Sequence, residues 1–430
     1  MKKYSFLLFI LAAAFTVQSC DELFSSKDDA ITDEIFDVGE QDPQAAEDVV
    51  GYAALLPSYT GFDAPTDVAV GFDELIYVTD AEGLHVLDRA GNQFRTVPFS
   101  GATTVVQDRL LNIYVAARYD TVVAAVDPDI VWNLPAIFKL QGVSSAGNVI
   151  FLDTLILPFD DSSLNTFTAR TNRLNRESAI NYEQVEVTGL ATLGDEANSL
   201  YVTRRGPSNP GAGSVASPDN TVLEFQPVVE NGEFTDKMRN VQQIRALNPT
   251  VPSLLSGVGM SDIQTYIGPP QRRSFGNNRS FIVAQEDQDT DIAFRVLLVN
   301  AVETTDGLVY QPVTSLLNTD TARADGFLYE IGRFQQPTGL AYAADGRNQI
   351  FVVDAASDSL YLFQSNGFEG VNPPPGSNST KPIIVSFGGL GAGPKQFNNP
   401  SGVAYFDQIV FVADMGNNRI SRFKLTTDFE

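Results

Sequence analysis

The chain has 430 residues, 43% of them hydrophobic, and a formal net charge of −25. A surface this acidic repels the phosphates of nucleic acid and of anionic lipid, which excludes both as partners held by simple charge attraction. The single cysteine rules out an internal disulfide, and the single histidine rules out a multi-histidine zinc site.

At the N-terminus, Lys2 and Lys3 precede an apolar run from Phe6 to Val17 that is too short to span a bilayer, so residues 1–19 read as a signal peptide. Cys20 follows directly. This arrangement resembles the lipobox of bacterial lipoproteins, with Gln18 standing where a small residue is usual. The resemblance implies lipidation at Cys20 and a place in the cell envelope as an outer-membrane lipoprotein, with the membrane touched through the anchor alone. From Asp21 to Val50 there are eleven acidic residues and one lysine, the composition of a solvated tether spanning residues 20–50. Asp21 and Glu22 resemble the export signal of Bacteroidota lipoproteins carried to the outer face of the outer membrane, which implies a surface-exposed protein.

Residues 51–430 repeat one phrase. It reads GFDAPTDVAVGFDELIYVTDAEGLHVLDRAGN from Gly61, FQQPTGLAYAADGRNQIFVVDAASDSLYLF from Phe334 and FNNPSGVAYFDQIVFVADMGNNRISRFKL from Phe397. A unit of roughly 40 residues cannot bury its own apolar faces, so the copies must pack on one another. The second strand of each copy is the clearest anchor, because it is a β-branched and aromatic run bounded by turn formers. Seven such anchors occur, at 75–78, 112–115, 154–159, 199–202, 280–283, 349–354 and 408–414. Third strands follow at 85–88, 122–126, 222–225, 294–299, 359–363 and 419–423, and outer strands at 94–99, 136–140, 241–247, 308–313 and 382–387. The fold predicted is all-β, a propeller of seven four-stranded blades, or of six if the segment from Gly147 belongs to its neighbour. The last copy lacks an outer strand of its own, so YAALLPSY (52–59) is expected to complete it and close the ring.

The phrase resembles the NHL repeat. Phe397, Pro400, Gly402, Val403 and Ala404, then Asp414, Asn417, Arg419 and Ile420, follow that pattern nearly throughout, while the copies near 103, 147, 190 and 260 are degenerate. Enzymes on NHL-like propellers, such as peptidylglycine amidating lyases and streptogramin lyases, use histidines. Here His85 stands alone between Leu84 and Val86 and reads as structural.

Asp80, Asp354 and Asp414 recur after the second strand, where a carboxylate accepts backbone N–H bonds at the turn; a cation-binding ring at the channel mouth is the functional alternative. Asp287, Asp289 and Asp291 form D-x-D-x-D, a candidate Ca²⁺ loop that lacks the EF-hand glycine and glutamate, since Ile292 and Leu298 occupy those positions. Two insertions, 204–220 and 266–280, carry Arg204, Arg205, Arg272 and Arg273 together with Tyr266 and Phe275, the residue types that recognise carboxylates and sugar rings. No cofactor motif is present apart from the D-x-D-x-D loop. The reading is a membrane-anchored scaffold that binds a protein or glycan partner rather than an enzyme. Its rival is a calcium-dependent lactonase, glycan hydrolase or lyase of the gluconolactonase-like propeller type.

Overall fold

The computed structural model describes residues 50–122, 131–145, 147–157, 183–206, 221–244, 259–269, 278–286, 292–377 and 379–429. Residues 1–49, over which a signal peptide and most of a tether are expected, lie outside the described residues, as do Arg272, Arg273, Phe275, Asp287, Asp289 and Asp291; Cys20 falls in the first of these stretches.

Two short strands, β1 (Tyr52–Ala54) and β2 (Tyr59–Thr60), open the described chain. Blade one follows as β3 (Asp67–Val70), β4 (Ile76–Thr79), β5 (Gly83–Leu87) and β6 (Gln93–Pro98). Blade two holds β7 (Thr104–Gln107), β8 (Ile113–Val122), β9 (Val131–Gln141) and β10 (Ile150–Ile156). Blade three holds β11 (Glu186–Thr192), β12 (Leu200–Arg205), β13 (Val222–Glu230) and β14 (Glu233–Ile244). Blade four holds β15 (Met260–Thr265), β16 (Phe281–Gln285), β17 (Val296–Thr304) and β18 (Gly307–Pro312). Blade five holds β19 (Pro337–Tyr342), β20 (Gln349–Asp354), β21 (Ser359–Gln364) and β22 (Phe387–Gly388). Blade six holds β23 (Pro400–Phe406), β24 (Ile409–Asp414) and β25 (Arg419–Leu425), with β1 paired on the free side of β25 and β2 also on β25. Every sheet is antiparallel, and the first strands stand innermost around an axis, which makes a six-bladed β-propeller.

Seven blades is therefore corrected to six. The supposed anchor at 154–159 falls on β10, the outermost strand of blade two, and the stretch 136–140, expected outermost, is its third strand. The cause is local. The pair β8 and β9 is ten and eleven residues long, and this extra length mimics an additional repeat when blades are counted by spacing.

An aromatic ring stands at one position of every second strand: Tyr77, Tyr114, Tyr201, Phe281, Phe351 and Phe411, all buried between blades. Polar ends are satisfied where the ring is a tyrosine, as when the Tyr77 hydroxyl donates to Asp73 at 2.7 Å. Branched apolar residues of the first strands, such as Val68, Val105 and Leu340, fill the inner core. The recurrent aspartates have the turn role: Asp354 accepts the N–H groups of Gln335, Gln336, Ala356 and Ser357. Asp414 likewise takes Asn398 N–H, Asn417 Nδ2 and Arg419 Nε.

Candidate functional site at the propeller axis

Each inner strand carries a hydroxyl residue close to its start or just before it: Thr66, Thr103, Thr188, Ser261, Thr338 and Ser401. In blades three to six a β-bulge falls at this residue and leaves it outside the strand pairing. The freed hydroxyl turns sideways and donates to a backbone carbonyl of the next blade, those of Ala102, Val187, Met260, Pro337, Pro400 and Pro65 in turn, at 2.6 to 3.0 Å. Six identical bonds thus run once around the axis and return to blade one.

The next residue of each strand forms a second ring: Asp67, Thr104, Gly189, Asp262, Gly339 and Gly402. Its two carboxylates belong to blades one and four, which face one another across a six-fold ring. Asp67 accepts the N–H of Val68 at 2.8 Å, the N–H of Val105 at 3.1 Å and the Thr104 hydroxyl at 2.8 Å. Asp262 accepts the N–H groups of Ile263 and Leu340, both at 2.7 Å. The glycines make the room. A Cβ on Gly402 would lie 2.6 Å from Asp67 Oδ1, and one on Gly189 would lie 2.9 Å from Asp262 Oδ1.

Burial pushes the Asp67 carboxyl up to about 6 against its hydrogen bonds, and burial together with the Asp67 charge pushes Asp262 well above the usual carboxylate range. Removing both protons would set two desolvated anions in one narrow channel. On one side of this waist lies a cavity of about 100 Å³ walled by the apolar inner-strand residues, with Phe72, Gln107, Tyr342 and Tyr405 towards its mouth.

On the other side the hydroxyl ring opens into a funnel of about 310 Å³ lined also by Glu186, Arg205, Glu286, Gln336 and Met415. Arg205 ends β12 and its guanidinium bridges two carboxylates, donating from Nε to Glu186 at 2.6 Å and from Nη1 to Glu286. Gln336 Nε2 donates to the second oxygen of Glu286 at 2.9 Å. Partial burial pulls the guanidinium pKa down, but Glu286 and Glu186 outweigh it and hold Arg205 charged. Donors and acceptors are thus fixed side by side at the mouth, the arrangement that pairs with hydroxyl groups.

The sequence-stated candidates separate. Arg205 lines the funnel, whereas its neighbour Arg204 points to the other face of the strand and is only 2% exposed, so it is no part of an exposed arginine pair. Tyr266 stands edge-on to Tyr342 with ring centres 4.9 Å apart, at the far mouth of the channel from Arg205. His85 is sealed in blade one with Nε2 2.7 Å from Asp80 Oδ1 and Nδ1 3.3 Å from the Thr96 hydroxyl. Among the described residues no group of three or more His, Cys, Asp or Glu side chains converges as a metal site. Sequence reasoning missed Asp67, Asp262, Glu186, Glu286 and Gln336. For the first two a signal existed, since an aspartate stands where the best copies have glycine after the hydroxyl residue.

The chain is a six-bladed β-propeller with a funnel at its axis. No protein-family model matches the chain, and no curated relative does. Among solved structures it is similar to a protein of unknown function from Bacteroides thetaiotaomicron, at 13% identity and a TM-score of 0.46 over 88% of this chain and 76% of that one. It is similar to an auxiliary nutrient binding protein from Bacteroides ovatus, at 10% identity and a TM-score of 0.45 over 88% and 77%. A gluconolactonase from Xanthomonas campestris shows 10% identity and a TM-score of 0.43 over 86% and 90%. Likeness at these scores carries nothing about chemistry.

Proposed function

We propose that this chain is a non-catalytic binding protein of the cell envelope, an NHL-like propeller tethered through a lipidated Cys20, which takes a hydroxyl-rich ligand of the glycan type at its axial funnel. The observation that carries the reading is Arg205 held between Glu186 and Glu286, with Gln336 beside them, at a mouth whose own ring hydroxyls are already spent on inter-blade bonds. Carboxylate, amide and guanidinium groups side by side match paired sugar hydroxyls, which offer a donor and an acceptor each. The lactonase reading needs at least three oxygen-bearing side chains converging on a metal at the axis. Among the described residues Asp67 and Asp262 are the two carboxylates in the waist, and each is held by N–H groups of its own and of the next blade. The pairing of β1 with β25 is proposed as the closure that covers the last blade's edge.

Calorimetry of residues 50–430 against a panel of neutral and acidic oligosaccharides tests the binding role. Saturable heat with one panel member, lost in Arg205→Ala and Glu286→Gln and insensitive to chelator, is expected. Calcium-dependent turnover of a lactone or glycoside by the same protein would replace this reading with the enzymatic one.

A further inference from the structure

Blades three and four each end in an outer hairpin, and a groove of about 480 Å³ separates them. One wall is the tip of the β13–β14 hairpin, where Phe234 lines the groove and pairs across the strands with Val229; the two are 52% and 50% exposed. The facing wall is the tip of the β17–β18 hairpin, where Leu308 pairs across the strands with Glu303 and both line the groove. The floor is built by the turn between β11 and β12, which supplies Asp195 and Glu196, and by Arg279 at the entry to β16.

The charge of this groove is one-sided. Arg279 is the single cation among the residues lining it, and its charge is shared by two carboxylates, Asp195 at 3.1 Å and Glu224. Glu196 and Glu303 are exposed at the rim, and the hairpin tips add exposed Glu230, Glu233 and Asp306. Scattered exposed apolar residues need no explanation, but a cleft with an apolar side chain on each wall, Phe234 and Leu308, and an excess of one sign of charge around them is the form of a recognition surface. The ring of acid repels anionic lipid and nucleic acid. It attracts a polypeptide whose apolar side chains alternate with lysine or arginine.

We propose that the groove between the outer hairpins of blades three and four is a docking surface for an extended basic segment of a protein partner. An apolar side chain of that segment lies between Phe234 and Leu308, and flanking cations meet Glu196, Glu303 and the acidic tips. This surface is separate from the axial funnel, since none of its lining residues is shared with it.

The test is fluorescence anisotropy at physiological salt with three short labelled peptides: alternating lysine and leucine, alternating lysine and serine, and alternating glutamate and leucine. Residues 50–430 should bind the lysine–leucine peptide saturably and the other two at least about tenfold more weakly. Phe234→Ser combined with Leu308→Ser, and separately Glu196→Gln combined with Glu303→Gln, should each weaken that binding by about tenfold or more with the thermal midpoint unchanged. Leu390→Ser, a change at a 71% exposed apolar residue elsewhere, should leave it as it was. Equal binding of the lysine–serine peptide, or undiminished binding by the Phe234→Ser, Leu308→Ser protein, overturns the proposal. So does tighter binding by about tenfold in a protein carrying Arg272→Ala, Arg273→Ala and Phe275→Ala, because the occupant would then be the chain's own segment rather than a partner.

Discussion

The Ser401 hydroxyl donates to the Pro65 carbonyl at 2.7 Å and so joins the last inner strand to the residues just before the first, 336 positions away. It is the sixth of six equivalent bonds, and the others join blades that are consecutive in the chain. Ser401→Ala removes the donor at the seam and strips the Pro65 carbonyl of that partner, a change worth about 1 to 3 kcal/mol. Thr338→Ala, one blade earlier, breaks the equivalent bond to Pro400. Urea unfolding should show both variants destabilised. A Ser401→Ala midpoint equal to that of the parent protein would show that the ring of hydroxyl bonds carries no stability at the seam.

The strand pairing on β25 predicts a larger loss. Tyr52 and Ala54 lie opposite Leu425 and Phe423, and Arg422 sits over the Tyr59 ring at 4.1 Å while donating to the Tyr59 hydroxyl and to the carbonyls of Leu55 and Pro57. A chain beginning at Gly61 loses all of these and uncovers the β25 edge and the apolar surface beneath Tyr52. Its melting temperature should fall well below that of a chain beginning at Val50. Coincident melts for the two proteins would remove β1 and β2 from any closing role.

The fold class was legible because every blade carries an apolar second strand and blades one, five and six add an aspartate at the turn that follows it, Asp80, Asp354 and Asp414, and both signals are local. The blade count was not legible from those anchors, since the long β8–β9 pair displaces β10 to where another anchor is expected. A hydroxyl residue followed by glycine, aspartate or threonine stands on the inner strand side of every blade, at 66–67, 103–104, 188–189, 261–262, 338–339 and 401–402, and the segment from Gly147 to Phe159 has none, but the same pair recurs elsewhere, as at Thr79-Asp80 and Ser357-Asp358, so it does not count blades by itself. The funnel was legible only in part. Arg205 stood out as a cation in an acidic chain, but Glu186, Glu286 and Gln336 come from three different blades and meet only when the ring is folded. Arg204 and Arg205 are equivalent as neighbours in the sequence, but strand alternation sends them to opposite faces of β12 and buries Arg204.

The proposed anchor makes a prediction independent of the propeller. Cys20 is the sole thiol of the chain and follows a short apolar segment, so Cys20→Ala should move the protein from the membrane fraction to the soluble one. Both fractions are scored by immunoblot after high-salt washing, which strips proteins held by charge alone. Unchanged membrane retention of the variant would mean that something other than a lipid on Cys20 holds it there.

The two channel carboxylates set a pH dependence whose sign is opposite to that of a salt-bridged aspartate. Burial raises Asp67 to about 6, and burial with the Asp67 charge raises Asp262 well above its ordinary 3.8. The folded state therefore keeps protons that the unfolded chain has released. This contribution to stability is complete below the unfolded value near 4, falls as pH rises from there, and for Asp67 is gone once pH has passed its folded value of about 6, while for Asp262 the fall continues further. For Asp67, displaced from 3.8 to about 6, the loss amounts to about 3 kcal/mol. Asp262→Asn replaces the carboxyl by a neutral amide with one acceptor oxygen, which keeps only one of the two N–H groups that Asp262 accepts on separate oxygens, Ile263 on Oδ1 and Leu340 on Oδ2, and it relieves Asp67 of a neighbouring charge. The lost bond lowers stability equally at every pH, so the sign is read from the slope: urea unfolding across pH 5 to 8 should show the parent protein weakening with rising pH and the Asp262→Asn protein weakening less, standing highest relative to the parent at pH 8. If the variant instead loses stability most at high pH, the pair is ionised in the folded state and something in the channel balances its charge.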